Sequence, residues 1–232
     1  MKKVIPIDLN TQLIYQDLKQ QCEELSDQAK ALAMKAYMKN LFDFYGINAP
    51  NRKEISRTFK KNYKLVLDDH LWQLVEYLWA DAHREMQYIA IDLLTTFANK
   101  MTAADLPQLE NMIISKSWWD TVDGIAPALA GSIFKDSHQI RDQYVYRWME
   151  SENIWLQRSA IICQLKYGKD TDWNLLSEAI LRHDTSKEFF VRKGQGWALR
   201  QYSKYNPFAV RQFVEANPQL SGLTKKEALR KI

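Results

Sequence analysis

Residues 155–162 read WLQRSAII, and three further segments can be laid on them in one register: EMQYIAID at 85–92, WDTVDGIA at 119–126 and FVRKGQGW at 190–197. Their starts lie 34, 36 and 35 residues apart. An interval of that size holds two helices and two short turns, the unit of an α-solenoid, in which each repeat buries its apolar face against its neighbours. Five residues into the register stand Ala90, Gly124, Ala160 and Gln195, and six residues in stand Ile91, Ile125, Ile161 and Gly196. Small and branched apolar side chains there predict close helix packing. The alternative on this evidence is an irregular helical bundle.

Composition agrees with helix throughout. The chain has only 7 Gly and 6 Pro in 232 residues, and no stretch of period-two alternation bounded by turn residues stands out. Helix starts are expected near Asp8, Ser26, Asn51, Asp68, Ala82, Thr102, Ser115, Ser137, Glu152, Thr171, Ser186, Asn206 and Leu223, several marked by a capping residue or by a first-turn proline such as Pro107 or Pro207. No low-complexity linker divides the chain, so residues 1–232 are read as one domain. The fold class expected is all-α, an α-solenoid forming a curved body.

Register also defines a second face. Positions 0, 3, 4 and 7 of each segment fall within about 100° of arc, opposite the packing positions. This stripe holds Trp119 and Asp123, then Trp155 and Arg158, then Phe190, Lys193 and Trp197, and one further turn adds Lys166 and Arg200. Stacked side by side, such stripes would line a common concave surface carrying indoles, cations and one central carboxylate.

Several function classes fall away. No apolar run approaches the roughly 18 to 20 residues of a membrane span, and MKKVIPIDLN lacks the apolar core of a secretory signal, so a cytoplasmic protein without a membrane partner is expected. Cys22 and Cys163 fit reduced thiols. His70, His83, His138 and His183 are isolated along the chain, so neither metal nor other cofactor is anticipated.

The net charge is only +4, but it is unevenly spread. From Ser186 to Arg211, Lys187, Arg192, Lys193, Arg200, Lys204 and Arg211 face only Glu188; from Asn51 to Lys64, Arg52, Lys53, Arg57, Lys60, Lys61 and Lys64 face only Glu54. Two such clusters on a helical scaffold would give a basic groove able to track phosphates.

The strings ISKSWWDTVDGIAP (114–127), SENIWLQRSAIICQLKYG (151–168), TSKEFFVRKGQGWALRQYSKYNP (185–207) and AYMKNLFDFYGINAPNRK (36–53) resemble the AlkD family of DNA alkylation repair glycosylases. The resemblance is colinear from about Ala36 to the closing LTKKEALRKI. It implies HEAT-like helical repeats and excision of positively charged N3- and N7-alkylated purines, the 3-methyladenine and 7-methylguanine class, from duplex DNA. Carried over residue by residue, it puts the active-site aspartate on Asp123 and the tryptophans flanking the lesion on Trp119 and Trp197. The phosphate-contacting arginine falls on Arg158, and a backbone-contacting tyrosine on Tyr37. Tyr37 lies outside the repeat register and rests on resemblance alone. The sequence departs from the family at Asn48 and Ala49, where a more polar pair often precedes the proline.

The chemistry such a site would perform is simple. An N7- or N3-alkylated purine is already cationic and leaves without being protonated, so the barrier lies at the deoxyribose, which becomes oxocarbenium-like as the C1′–N bond breaks. A carboxylate held beside it stabilises that charge, and can orient or deprotonate the attacking water. Indole faces provide a low-dielectric wall and favour the cation. Arg158, with Lys166, Lys193 and Arg200, would hold flanking phosphates. Resemblance further implies engagement of the lesion through the backbone while the base stays stacked, rather than extrusion. No Schiff-base lysine is identified, although Lys193 is near enough to overturn that, so monofunctional excision by a monomer is expected.

Other residues take plainer roles. Trp118 and Asp120 face away from the stripe and are expected as core and cap; Trp148 and Trp173 are expected in the core, and Trp155 as a buttress for Arg158. Tyr88 and Asp92 would meet either the opposite strand or solvent. A non-catalytic helical-repeat scaffold for nucleic acid or protein is the alternative function.

Overall fold

The computed structural model describes residues 11–232; the helix start expected near Asp8 lies outside them. All regular structure in the described residues is helical. Residues fall into two compact units, Met1–Lys100 and Met101–Ile232.

The first unit holds α1 (Thr11–Glu24), α2 (Gln28–Tyr37), α3 (Ala49–Tyr63), α4 (Asp69–Ala80) and α5 (Arg84–Thr95). Side-chain caps set three of the starts: Asp27 on α2, Asn48 on α3 and Asp68 on α4 each accept a first-turn backbone N–H. Asn48, one of the two departures from the family pattern, is therefore the N-cap of α3. Leu18, Phe59, Leu71, Leu74, Leu78, Met86, Ile89 and Leu93 form the core, with α4 packed on α1 and α5, and α3 on α5.

Glu85 fastens the segment between α2 and α3. Its carboxylate, fully buried, accepts the backbone N–H of Tyr45 at 3.0 Å, Gly46 at 2.8 Å and Ile47 at 3.1 Å. Gly46 has φ +90°, and a Cβ there would sit 2.1 Å from the Asp27 carbonyl, so only glycine closes this loop. Where later repeats begin on an aromatic residue, this one begins on a carboxylate with an internal task.

The second unit holds α6 (Leu106–Ile114), α7 (Trp119–Ile125), α8 (Gly131–Asp136), α9 (His138–Met149), α10 (Ile154–Ile162), α11 (Trp173–Leu181), α12 (Phe189–Tyr202), α13 (Pro207–Ala216) and α14 (Gly222–Ala228). The four helices bearing the aligned segments, α5, α7, α10 and α12, start at residues 84, 119, 154 and 189, a constant interval. Within the unit, α10 packs against both α7 and α12, as equivalent helices of stacked repeats do. Helix α10 buries residues all round, Trp155, Leu156 and Arg158 to Ile162.

One expected helix start needs correction. Ser115 opens no helix: its hydroxyl and that of Ser117 bond back to the carbonyls of Asn111 and Ile113, closing α6, and α7 starts at Trp119. Between α7 and α8, residues Ala126–Ala130 form a π turn in which the Gly131 N–H reaches the Ala126 carbonyl five residues back. Pro127 explains the widening. It has no N–H to offer the Asp123 carbonyl, and its ring would press on that carbonyl in an α-helical register.

Glu85→Ala would leave three buried donors without an acceptor and should cost about 3 to 5 kcal/mol in urea unfolding followed at the first-unit tryptophans, Trp72 and Trp79. A loss below about 1 kcal/mol would mean that water replaces the carboxylate.

Candidate active site

The second unit brings Asp123, Arg158 and Trp197 together from α7, α10 and α12. Arg158 Nε donates to one oxygen of Asp123 and Nη2 to the other, both at 2.8 Å. Its remaining terminal nitrogen, Nη1, donates to the Phe190 carbonyl. The guanidinium carbon lies 5.9 Å from the centroid of Trp197, at the outer limit of a cation–π contact. One arginine thus ties three successive repeats.

Burial decides what this pair presents. The Arg158 side chain is 4% exposed and that of Asp123 18%, so the guanidinium lies behind and the carboxylate is the open end. An arginine inside a helix buried on all faces must be paired, and the two-point geometry supplies that pairing. Burial pushes the Asp123 carboxyl above the usual aspartate range; Arg158 pulls it back without cancelling the shift, and the charge of Asp120 adds to it.

Glycine makes room for the arginine. A Cβ on Gly194 would lie 3.1 Å from Arg158 Nη1 and 3.5 Å from its Cγ. Two glycines, Gly194 and Gly196, stand within α12 of a chain with only 7, each weakening the helix by roughly 0.5 to 1 kcal/mol. That expense is a sequence signal for close approach, and Gly194 carries it as Gly196 does.

Trp119 is the half-buried first residue of α7, and Trp197 is half-buried on α12. Trp118, expected to face away as core, instead packs on two residues of the stripe: its ring centroid lies 5.7 Å from Trp155 and 4.8 Å from Phe190. The reason is backbone. Trp118 occupies the N-cap position in extended conformation (φ −159°, ψ 165°), where helical periodicity does not hold. Asp120, expected as the cap, sits in the first turn of α7. Trp155 is buried in the same aromatic cluster, whereas Trp148 is fully buried with Nε1 bonded to Glu110 at 2.7 Å. Trp173 is half-buried, stacked on Tyr202.

The cations expected at phosphates divide. Lys166 is exposed. Lys193 and Arg200 both reach Glu227 of α14, a residue of the closing LTKKEALRKI to which the sequence assigned no role. In the first unit, Tyr37 ends α2 and is 71% exposed. There too, Tyr88 and Asp92 hold Arg52, whose Nε lies 2.9 Å from Asp92 and whose guanidinium carbon lies 4.7 Å over the Tyr88 ring. Neither of the two roles expected for them included that pairing. No three His, Cys, Asp or Glu side chains converge as a metal-ligand set among the described residues, and no helix among them is long and apolar enough to cross a membrane.

The family model described as DNA alkylation repair enzyme matches residues 18–232. The chain belongs to this family. A solved structure described as a predicted DNA alkylation repair enzyme from Enterococcus faecalis is 32% identical, with TM-score 0.83 over 89% of this chain and 96% of that one. Two Streptococcus mutans structures share the fold at lower identity. Smu.31 is 15% identical with TM-score 0.63, covering 94% of this chain and 99% of its own. AlkD2 is 19% identical with TM-score 0.62, covering 86% and 99%. Comparison with the curated proteins gives no match. This family member accordingly has a DNA repair role and helical-repeat architecture.

Arg158→Ala would strand a mostly buried carboxylate and should lower stability by about 3 to 5 kcal/mol in chemical denaturation. If the loss stays under about 1 kcal/mol, water satisfies Asp123 in the variant, and the pairing is not what holds the three repeats.

Proposed function

We propose that the chain is a monofunctional alkylpurine DNA glycosylase, working as a single domain and a monomer, that hydrolyses the N-glycosidic bond of N3- and N7-alkylated purines in duplex DNA. The observation that carries this reading is the Asp123–Arg158 pair with its carboxylate as the open end. A guanidinium behind a carboxylate fixes the position of both oxygens and leaves the negative end of the pair as the more exposed one, where an oxocarbenium-like sugar would form. Preorganised charge of this kind lowers a barrier because nothing has to reorient as the bond breaks.

Residue roles follow from that assignment. Asp123 stabilises the sugar cation and positions water. Trp119 and Trp197 form the aromatic wall on either side of it, and bind the cationic nucleotide by their faces. Tyr37, Lys166, Lys193 and Arg200 contact backbone phosphates. Arg158 acts first on Asp123 and has donor capacity left for a phosphate. Nothing in the proposed step requires extrusion of the base, a metal or another cofactor. Lys193 Nζ is engaged by the Glu227 carboxylate at 2.7 Å, unlike the unpaired amine that Schiff-base chemistry uses, which supports excision without strand cleavage. The setting would be the cytoplasm, on the nucleoid.

Incubation of the protein with 7-methylguanine duplex in chelator should release free base and leave an abasic site; Asp123→Asn should slow single-turnover release by at least about a hundredfold, of the order seen when one preorganised group is removed. No base from the wild type would leave the non-catalytic scaffold as the better reading, and equal rates for the variant would overturn the role given to Asp123. Because burial raises the Asp123 carboxyl, its ionised form is lost at a higher pH than that of an exposed aspartate. The rate should fall on the acid side with a midpoint above the usual aspartate value, about 3.9; a flat profile across that limb would contradict a role for the ionised carboxylate.

A further inference from the structure

Lys193, Gly196 and Arg200 follow one another along one face of α12, and Glu227 lies over the glycine between the two cations. Its Oε1 accepts from Lys193 Nζ at 2.7 Å, its Oε2 accepts from Arg200 Nη1, and its main-chain carbonyl accepts from the same nitrogen at 3.3 Å. The Glu227 side chain is 13% exposed against 38% for Lys193 and 20% for Arg200, so the carboxylate sits beneath both. The two bonds hold its carboxyl at about 2, well below the usual range, and it stays ionised wherever the protein works.

The seat is built. A Cβ on Gly196 would lie 2.5 Å from the Glu227 Cβ and 2.8 Å from the Thr224 carbonyl, so α14 reaches this depth only over glycine. Thr224 Oγ1 is 2.9 Å from Gln195 Oε1 and 3.2 Å from the Arg192 carbonyl. Gln195 is tied in turn to the carbonyls of Ile180 and His183. Glu227 is thereby fixed against α12 by groups other than the two cations it pairs with.

We propose that Glu227 is a residue that restrains general binding to duplex DNA, and so residence on undamaged sites, by cancelling one of the two positive charges that Lys193 and Arg200 offer to phosphates. The inference rests on the DNA-binding part of the function proposed above. Affinity for DNA irrespective of sequence or damage comes mainly from counterion release, which counts net cations at the phosphates and is felt equally at every site. A repair enzyme that must leave undamaged DNA and its own product gains from a smaller share of that term. Contacts at a lesion, through Asp123 and the tryptophans, add to whatever that term supplies, so lowering it shortens residence on undamaged DNA and on product while the increment gained at a lesion is kept whole.

The test is fluorescence anisotropy of the full-length protein on an undamaged duplex across about 50 to 300 mM salt, where one added net charge steepens the slope of log K against log salt by about 0.9 and raises affinity about tenfold at 0.1 M. Glu227→Gln should show both changes, and Glu227→Asp should stay near wild type. In a Lys193→Met, Arg200→Met background, Glu227→Gln should change nothing, because the cations it restrains are gone. Unchanged or weaker binding by Glu227→Gln overturns the proposal, as does a gain that persists without the two cations, or an absence of duplex binding by every variant. Should the glutamine variant fail to fold, as judged by its melting, Glu227→Ala takes the same measurement. Base release from alkylated duplex is scored separately: binding without release defeats the glycosylase reading and leaves the restraint standing.

Discussion

The pairing of Arg158 with Asp123 is the constraint from which the second unit is best understood. A guanidinium placed in a helix buried on every face has to find an anion, and here it finds one on the preceding repeat and a carbonyl on the following one. The glycine at 194, the order of the three helices and the depth of the aspartate all answer to that placement. Buried ion pairs are poor sources of net stability, since desolvation offsets their attraction. What this one provides is definition, because a carboxylate with both oxygens bonded can occupy only one position.

The first unit uses buried charge differently. Glu85 meets no cation among its bonded partners but three backbone N–H groups, and Arg52 leans on a tyrosine face and an aspartate. These pairings close loops and lock helices. The same residue types at neighbouring positions of one register therefore serve assembly in one repeat and the proposed chemistry in another, and environment, not position, separates them.

Much of this was legible in the sequence. The repeat interval survives as the equal spacing of α5, α7, α10 and α12 because each begins the same supersecondary unit. Asp27, Asn48, Asp68, Ser137 and Asn206 cap helices by local bonds, and local bonds leave local signals. Periodicity placed Asp123, Arg158 and Trp197 on one face. What it could not supply was partnership between side chains more than thirty residues apart, so the Arg158–Asp123 pair leaves no signal in the register. Trp118 escapes helical periodicity because its backbone is extended, and Glu227 stands in a segment that carries no repeat.

Helix α14 spans only Gly222–Ala228, too short to persist in water unless docked. Its folding on α12 and its pairing with two cations are consequently a single event. Undocking of α14 would carry Glu227 away and leave Lys193 and Arg200 without their shared carboxylate. The local opening equilibrium of one short helix, of the kind amide hydrogen exchange reports, would then set how long this protein lingers on DNA.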